Sequence, residues 1–356
     1  IWLGLYLYLK KHKERHTVAW FTSGSFVAVT VPLSLYQITE HLRKYYNPSL
    51  QRYIVRILFM VPIYSIDSFL SLLFKDAAPY IDAVREFYEA YVIYCFITFL
   101  MVYVGEETTL IELLNSRDPP KHVFPLCCFP RWAGKSFLRR CHFGALQFVL
   151  IRCATTVLTL IFIWTDTYGK GEFKFNEGYI YVTAFNNFSQ AWAMYCLVLF
   201  YHALQKELAP MRPLGKFASV KLVVFFSFWQ GVLIAILVKA GVIHATLDYT
   251  VDEVSEGLQN FCITVEMFLA AAMHRFVFPV SDFSDGSAQP DSALAAFLDT
   301  ADVSDVVWEV GRTARGIARK VEAIGVPPKG QTPKDGATPH GTATPYGSGT
   351  PAAPPP

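Results

Sequence analysis

Seven apolar runs separated by polar turns dominate the sequence, and each is long enough, or nearly so, to cross a bilayer as a helix. The hydrocarbon layer is about 30 Å thick and takes about 20 helical residues to cross. The runs lack the alternation of barrel strands, so helices are the structure that satisfies every backbone amide in lipid. We therefore predict an all-α membrane protein, a seven-transmembrane helix bundle. The predicted spans are 19–42, 53–74, 88–104, 143–164, 179–204, 217–238 and 258–278.

The placement of charge predicts the orientation of this bundle. Only 17% of the residues are charged, against about 25% in soluble domains. Lys and Arg are concentrated in the first, third and fifth connections, and acidic residues in the other three. Because basic loops stay in the cytosol, we expect the N-terminus outside or in a lumen and the C-terminus in the cytosol. The basic segment 10–16 is the exception, since it would lie on the outer side.

The two ends of the chain differ in composition from the transmembrane domain, which we place at residues 17–280. Residues 1–16 are basic and apolar, and are either the remnant of an upstream helix or an interfacial segment. Residues 281–324 are predicted to form a cytosolic amphipathic region, because apolar residues recur there near helical spacing. This region either lies on anionic lipids or docks on the bundle's own cytosolic face. Residues 325–356, rich in Pro, Thr and Gly, are predicted to be a disordered tail.

Polar and ionisable side chains inside the spans point to a functional interior. At about 100° per residue, Tyr64, Asp67, Ser68 and Ser71 share one side of the second span. A mid-bilayer Asp costs about 2.5 to 3.5 kcal/mol on insertion scales, so this side should face inward. Such groups are either hydrogen-bonding partners between helices or parts of a substrate or proton pathway. The predicted pathway residues are Asp67, Glu89, Arg152, Asn187, Gln230, Asn260 and Glu266.

The cysteines suit a reducing cytosolic face, because none of the seven falls in a predicted outer connection. Cys127 and Cys128 lie beside aromatic and basic residues in the third connection, which makes them candidates for lipidation by S-palmitoylation. The alternative is two small residues in a loop. Neither this adjacent pair nor the pair Cys141 and His142 has the spacing of zinc ligands. We therefore predict no metal site and no cofactor.

Four segments of the chain resemble the signature segments of a known family. They are RYIVRILFMVPIYSIDSFLSLLF, FYEAYVIYCFITFLMVYVGEE, FSFWQGVLIAIL and GLQNFCITVEMFLAAAMHRFVFP. Over about residues 20–280 the sequence resembles the organic solute transporter alpha family, and it looks closer to that family's transmembrane protein 184 branch. The alpha subunits have a longer cysteine run where this sequence has only Cys127 and Cys128. The family-motif positions are Asp67, Glu89, Glu106, Gln230, Asn260 and Glu266.

The resemblance implies a seven-helix membrane protein that transports amphipathic organic solutes, such as sterol conjugates, with a single-span beta partner for the alpha subunits. The sequence itself has no G-x-S-x-G, H-E-x-x-H or phosphate-loop motif, so we expect no enzyme. Our leading hypothesis is a transporter of an amphipathic organic solute, either a sterol conjugate or lipid-like. The alternatives are a seven-helix receptor or signalling scaffold, and a structural subunit of a membrane assembly.

Partners and location follow from the same hypothesis. We expect contact with membrane lipids and with either a beta-type partner or a second copy of the chain, and no binding of nucleic acid. The expected location is the plasma membrane or an endosomal or vacuolar membrane.

Overall fold

The computed structural model describes residues 15–122, 126, 130–165, 167, 178–243, 250–283, 292–312 and 315. These residues form helices joined by turns, and none of them lies in a β-strand, which confirms the all-α class. Cys127 and Cys128 lie outside the described residues, as do residues 1–14 and 316–356. The lipidation of the two cysteines and the disordered tail therefore stay predictions.

Long helices account for the predicted spans, and shorter helices lie between and after them. Each predicted span falls within a long helix or ends one residue beyond it, if α2 and α3 are taken together. The helices are α1 (Arg15–Arg43), α2 (Pro48–Leu58), α3 (Met60–Leu73), α4 (Ala78–Val104), α5 (Glu107–Asn115), α6 (Gly134–Trp164), α7 (Gly178–Ala203), α8 (Pro213–Lys239), α9 (Val251–Val277), α10 (Ala293–Ala301) and α11 (304–312).

Three stretches of the described residues have both the length and the apolar composition of a membrane span. They are Pro48–Leu73, Ala78–Val104 and Gly134–Trp164. The chain therefore has helices able to cross a membrane, as the apolar runs predict. The count of seven spans and the side on which each terminus lies stay predictions.

Helix α4 begins earlier than the sequence predicts, and the extra turns carry charge. The predicted third span begins at residue 88, whereas the helix begins at Ala78. Pro79 lies in its first turn, where a missing N–H leaves no hydrogen bond unmade. Asp82 and Glu86, assigned from the sequence to an outer connection, are consequently helical residues. Their side chains therefore project from a continuous helix toward its neighbours.

The second predicted span is interrupted at Phe59, between α2 and α3. Pro62 lies four residues after Leu58, so its ring crowds the Leu58 carbonyl. Because proline has no backbone N–H, it also cannot donate a hydrogen bond to that carbonyl. The backbone bond from Ile63 to Phe59, at 3.1 Å, resumes the helical pattern directly afterwards. The interruption thus has a local cause, and it separates the basic end of this span from the segment that carries Asp67.

The packing order of the long helices places α3 and α4 at the centre. Helix α3 packs against α1, α4 and α9, and α4 packs against α2, α3 and α6. Helix α7 lies against α6, and α8 lies against α9. From residue 90 onward, α4 buries mostly apolar side chains, Ile93, Phe96 and Phe99 among them. The charged residues of α4 all precede this apolar half.

Two ion pairs near the ends of the helices join connections that the charge pattern assigns to the same side. Arg117, after α5, donates to Glu207 in the helical turn Gln205–Leu208 that follows α7. This hydrogen bond holds the pKa of the Glu207 carboxyl below its usual value. Lys216 near the start of α8 pairs with Asp282 at 2.6 Å, just beyond α9. The third connection is thus tied to the fifth, and the fifth to the segment after α9.

Residues 292–307, which follow α9 in the chain, lie against α2. This contact favours docking on the bundle over lying on anionic lipids for this part of the amphipathic region. The Arg56 side chain is only 3% exposed and pairs with Asp305 at 2.9 Å. It also donates to the carbonyl oxygens of Thr300 at 2.9 Å and Asp302 at 2.6 Å, so it caps the C-terminal end of α10. Tyr45 donates to Asp299 at 2.7 Å. This part of the amphipathic region docks on the bundle.

The chain divides into two compact units, Ile1–Val307 and Trp308–Pro356. In the described part of the second unit, Arg312 pairs with Glu309 and lies over the ring of Trp308.

We predict that Arg56→Ala undocks α10. The substitution leaves Asp305 and two helix-end carbonyls without their partner, and breaking such a pair costs about 3 kcal/mol. Hydrogen exchange of the amides of residues 293–305 measures the effect as lost protection. The control is Lys44→Ala, which removes an exposed pair with Glu40 and should change stability by about 0.5 kcal/mol or less. Unchanged protection in Arg56→Ala would contradict the docking role.

Candidate functional site

A stripe of ionisable residues runs along the first half of α4. Asp82, Arg85, Glu86 and Glu89 follow one another at helical spacing, so they occupy adjoining positions on the helix surface. We call these four residues the α4 stripe. They reach side chains of α3 and α9 in one direction and of α6 and α7 in the other. Helix α4 therefore carries the polar contacts that link the centre of the bundle.

Arg85 is the hub of the first group of contacts, and its side chain is only 17% exposed. It pairs with Asp67 of α3 and with Asp82 of its own helix, each at 3.0 Å. The Nη1 atom that contacts Asp67 also lies 3.4 Å from Ser68 Oγ and 3.4 Å from Asn260 Oδ1 of α9. We call Asp67, Ser68, Asp82, Arg85 and Asn260 the Arg85 cluster. It joins three helices through one guanidinium.

The hairpin between α3 and α4 explains why Asp67 and Arg85 meet. Asp67 lies seven residues before Phe74, the residue that follows α3, and Arg85 lies seven residues after Ala78, the first residue of α4. At a rise of about 1.5 Å per residue, both lie about 10 Å from the turn. Two antiparallel helices joined by a short turn bring residues of equal depth together. Ser71, one turn nearer the hairpin, likewise donates to Asp82 at 3.2 Å.

A second group of contacts lies deeper along α4. Arg152 of α6 is only 9% exposed and pairs with Glu86 at 3.1 Å. Gln190 of α7 donates to Glu89 at 2.8 Å. We call Glu86, Glu89, Arg152 and Gln190 the Arg152 cluster. Close by, Thr155 of α6 donates to Asn186 of α7 at 2.8 Å, so polar contacts also join α6 to α7.

Tyr64 of α3 lies between the two clusters. It is one turn from Asp67 and is only 4% exposed, and it is within electrostatic range of Asp67, Arg85, Glu89 and Arg152. Its hydroxyl oxygen is buried and has no hydrogen-bond partner in the described part of the chain. The same holds for the Nε of Arg152. One polar atom beside the Arg85 cluster and one within the Arg152 cluster are thus buried without a hydrogen-bond partner among the described residues.

The remaining predicted pathway residues lie elsewhere. Gln230 of α8 donates to Glu266 of α9. This contact joins α8 to α9 and includes no residue of the α4 stripe. Asn187 is exposed on α7, and the structure does not bring it together with the other predicted pathway residues. Its neighbour Asn186 is the buried amide. The two residues differ by about 100° around the helix, and the apolar sequence around them does not distinguish the two faces.

Arg85 is the residue that sequence reasoning missed. The predicted third span begins at residue 88, because Asp82, Arg85 and Glu86 lower the local hydropathy, and Arg85 falls in the connection before it. The signal was nevertheless present, since the spacing of the α4 stripe after Pro79 is that of one helix surface. Among the described side chains, no group of three or more His, Cys, Asp or Glu residues is placed to hold a metal ion.

We predict that Asp67 and Arg85 are strongly coupled. Arg85→Gln leaves two carboxylates without their cation and should cost about 3 to 5 kcal/mol of stability. The double substitution with Asp67→Asn should cost less than the sum of the singles by about 1 to 3 kcal/mol. Thermal unfolding of the four proteins in detergent measures this. A coupling near the average of about 0.6 kcal/mol for hydrogen bonds between membrane helices would reduce the pair to an ordinary interhelical contact.

Comparisons with known proteins identify the family of the chain. The family model described as "Organic solute transporter Ostalpha" matches residues 19–283. Protein LAZ1 homolog 1 of Arabidopsis thaliana is 35% identical over 283 residues, which are 74% of this chain and 58% of that protein. The match therefore spans less than two thirds of that relative's length. No solved structure matches significantly. The chain belongs to the organic solute transporter Ostalpha family, a family of membrane transporters.

Proposed function

We propose that this protein transports an amphipathic organic solute, either a sterol conjugate or lipid-like, through the interior of its helix bundle. The Arg85 and Arg152 clusters are the polar part of the pathway. The observation that carries the proposal is the meeting of charged side chains from α3, α4 and α6, which are largely buried except for the half-exposed Glu86. Amide side chains of α7 and α9 complete the two groups.

The number of charges favours a pathway over simple neutralisation. A structural ion pair in lipid needs one cation for each anion, because an unpaired charge there costs several kcal/mol. The two clusters instead contain four carboxyl groups and two guanidinium groups. The Glu86 side chain is 49% exposed, so three less exposed carboxyl groups share the two guanidinium groups. An interior built only to hold helices together would gain stability from fewer charges. The excess is understandable if polar solute groups or protons use this region.

The position of the stripe suits a solute with a polar end and an apolar body. The charged residues of α4 are confined to its first half, up to Glu89. The second half buries apolar side chains such as Ile97 and Leu100. An amphipathic molecule needs polar partners only at one depth, and its hydrocarbon part can contact apolar helix surfaces or lipid. A fully polar solute would need polar partners along the whole crossing.

The shared guanidinium of Arg85 gives the site a way to exchange partners. Its Nη1 has one acceptor at 3.0 Å and two more at 3.4 Å. An NH2 group whose two hydrogens serve three acceptors can turn toward a polar group of the solute while it keeps part of its contact with Asp67. The free-energy change of such an exchange is smaller than that of breaking a single well-formed pair. Residues of the Arg85 cluster should therefore affect the rate of transport as well as stability.

We predict that Asp67→Asn lowers the initial rate of solute flux into proteoliposomes by about tenfold or more. The expected loss corresponds to one hydrogen bond to a charged group, worth about 1.5 to 3 kcal/mol. Gel filtration and thermal unfolding establish that the variant is folded. Asn187→Ala is the matched control, because it changes an exposed amide on α7, and it should leave the rate unchanged.

Equal flux in the parent and Asp67→Asn would remove Asp67 from the pathway. Saturable binding of the solute by the parent without any flux would overturn the transport proposal in favour of a receptor.

A further inference from the structure

Helix α10 leaves an apolar side uncovered, while its polar residues reach the bundle. Of its nine residues, only Asp299 and Thr300 are polar, and both contact the Tyr45 hydroxyl, at 2.7 Å and 3.5 Å. Leu294 and Leu298 are four positions apart and so share one side of the helix, and they are 67% and 60% exposed. A helix at a protein surface in water has the reverse arrangement, with its apolar side toward the core.

The exposed apolar surface of this segment is too large to ignore and too small for a stable protein interface. Phe297, Val303 and Val307 are exposed in addition to the two leucines. These five side chains leave on the order of 500 Å² open to contact, an area typical of patches that mark an interaction site. One partner in a standard protein interface buries about 800 Å². The surface is therefore small for a contact that would hold a second copy of the chain.

The position of α10 along the neighbouring span places it at membrane depth. Pro48–Leu73 has the length and composition of a membrane span. If one edge of the hydrocarbon layer is taken at Leu73, the other edge lies about 20 residues earlier, near residue 53. Phe59, 14 residues before Leu73, then lies about 21 Å into a layer that is about 30 Å thick. The Phe297 ring packs edge-on against the Phe59 ring, with centroids 6.4 Å apart.

The charge of the segment excludes attraction to anionic head groups as the cause of contact with a membrane. Residues 292–307 contain three Asp and neither Lys nor Arg. Asp305, like Asp299, is bound by the bundle, through Arg56 and Tyr53. A helix that adsorbs to a membrane by charge carries Lys and Arg on its polar face. Contact of α10 with lipid therefore depends on apolar burial, which does not require a charged head group.

We infer that the outer side of α10 is a lipid-contact surface, which inserts Leu294, Phe297 and Leu298 among the acyl chains of the leaflet at the α2 end of the bundle. The contacts with Tyr45 and Arg56 hold the other side of the segment to the bundle. Zwitterionic and anionic lipids serve equally well, because the acyl chains are what the surface binds. This inference does not depend on the proposed transport function.

Quenching by spin-labelled lipid tests where Leu298 lies. An environment-sensitive fluorescent amino acid replaces Leu298 in the full chain, in phosphatidylcholine nanodiscs that contain a lipid with a nitroxide near the carbonyl end of its acyl chain. We expect the nitroxide to quench about half of the emission or more, because an interfacial helix inserts its apolar side about 5–10 Å into the boundary of head groups and acyl chains. The matched control is the same label at Ser116, an exposed residue after α5, which should be quenched much less.

The other possible surroundings of α10 give different results in the same measurement. Equal quenching at the two positions would overturn the inference. Quenching of the Leu298 label by aqueous iodide but not by the lipid nitroxide would place it in water and would also overturn it. Shielding of this label from both quenchers would show that a protein surface covers α10, and the lipid-contact role would fail.

Replacing part of the phosphatidylcholine by phosphatidylserine separates acyl-chain contact from adsorption by charge. We expect the quenching of the Leu298 label to be the same in both membranes, since residues 292–307 have no Lys or Arg. Quenching that requires phosphatidylserine would contradict the inference.

Leu298→Asp tests the surface without a label. In water a carboxylate at this exposed position would cost little, whereas among acyl chains it is strongly unfavourable. We expect the amides of residues 293–301 to exchange hydrogen about tenfold faster or more in nanodiscs, while gel filtration establishes that the protein is folded. The matched control is Ser304→Asp, which adds the same charge at an exposed position near Asp302 and Asp305 and should leave exchange unchanged. Equal exchange in the parent and Leu298→Asp would refute the contact of Leu298 with lipid.

Discussion

The arrangement of the central helices depends on the guanidinium of Arg85. In lipid, apolar side chains gain little by turning toward each other rather than toward acyl chains, so hydrophobicity alone does not orient a membrane helix. Arg85 supplies the missing constraint, because Asp67, Asp82 and Asn260 each accept from it or lie within its reach. One side chain thereby sets the rotation of α3 and α9 about α4, and its removal would leave two buried carboxylates without a cation.

Much of the helical framework could be predicted from hydropathy, whereas the partners of the charged residues could not. Asp67 is identifiable because it interrupts an otherwise apolar run. Arg85 is less visible, since the charged residues that surround it also lower the hydropathy by which a span is recognised. Docking on the bundle is one of the two alternatives that the sequence leaves open for this region. Its partners are not predictable, because Arg56 and Asp305 are 249 residues apart and nothing in either local sequence identifies the other. Tertiary packing alone brings them together.

The two predicted asparagines show a further limit of sequence reasoning. Asn260 joins the Arg85 cluster, because α9 packs against α3. Asn187 is exposed, whereas the adjacent Asn186 bonds to Thr155. In α9 an acidic first turn and a capping box at Thr250 mark where the helix begins, but α7 is apolar on most of its surface. Periodicity identifies a buried face only where polar residues mark the opposite face, and in a membrane helix both faces are apolar.

Polar contacts on several sides of α4 also fix its rotation. Arg85 reaches α3 and α9, and Glu86 and Glu89 reach α6 and α7. Tyr88, on yet another side, donates to the backbone oxygen of Arg56 at 2.6 Å. A rotation of α4 that improved one contact would break another, so the helix has a single favourable orientation. The same constraint holds the Arg56 backbone beside α4 while its side chain caps α10, which links the docked segment to the helix that carries the site.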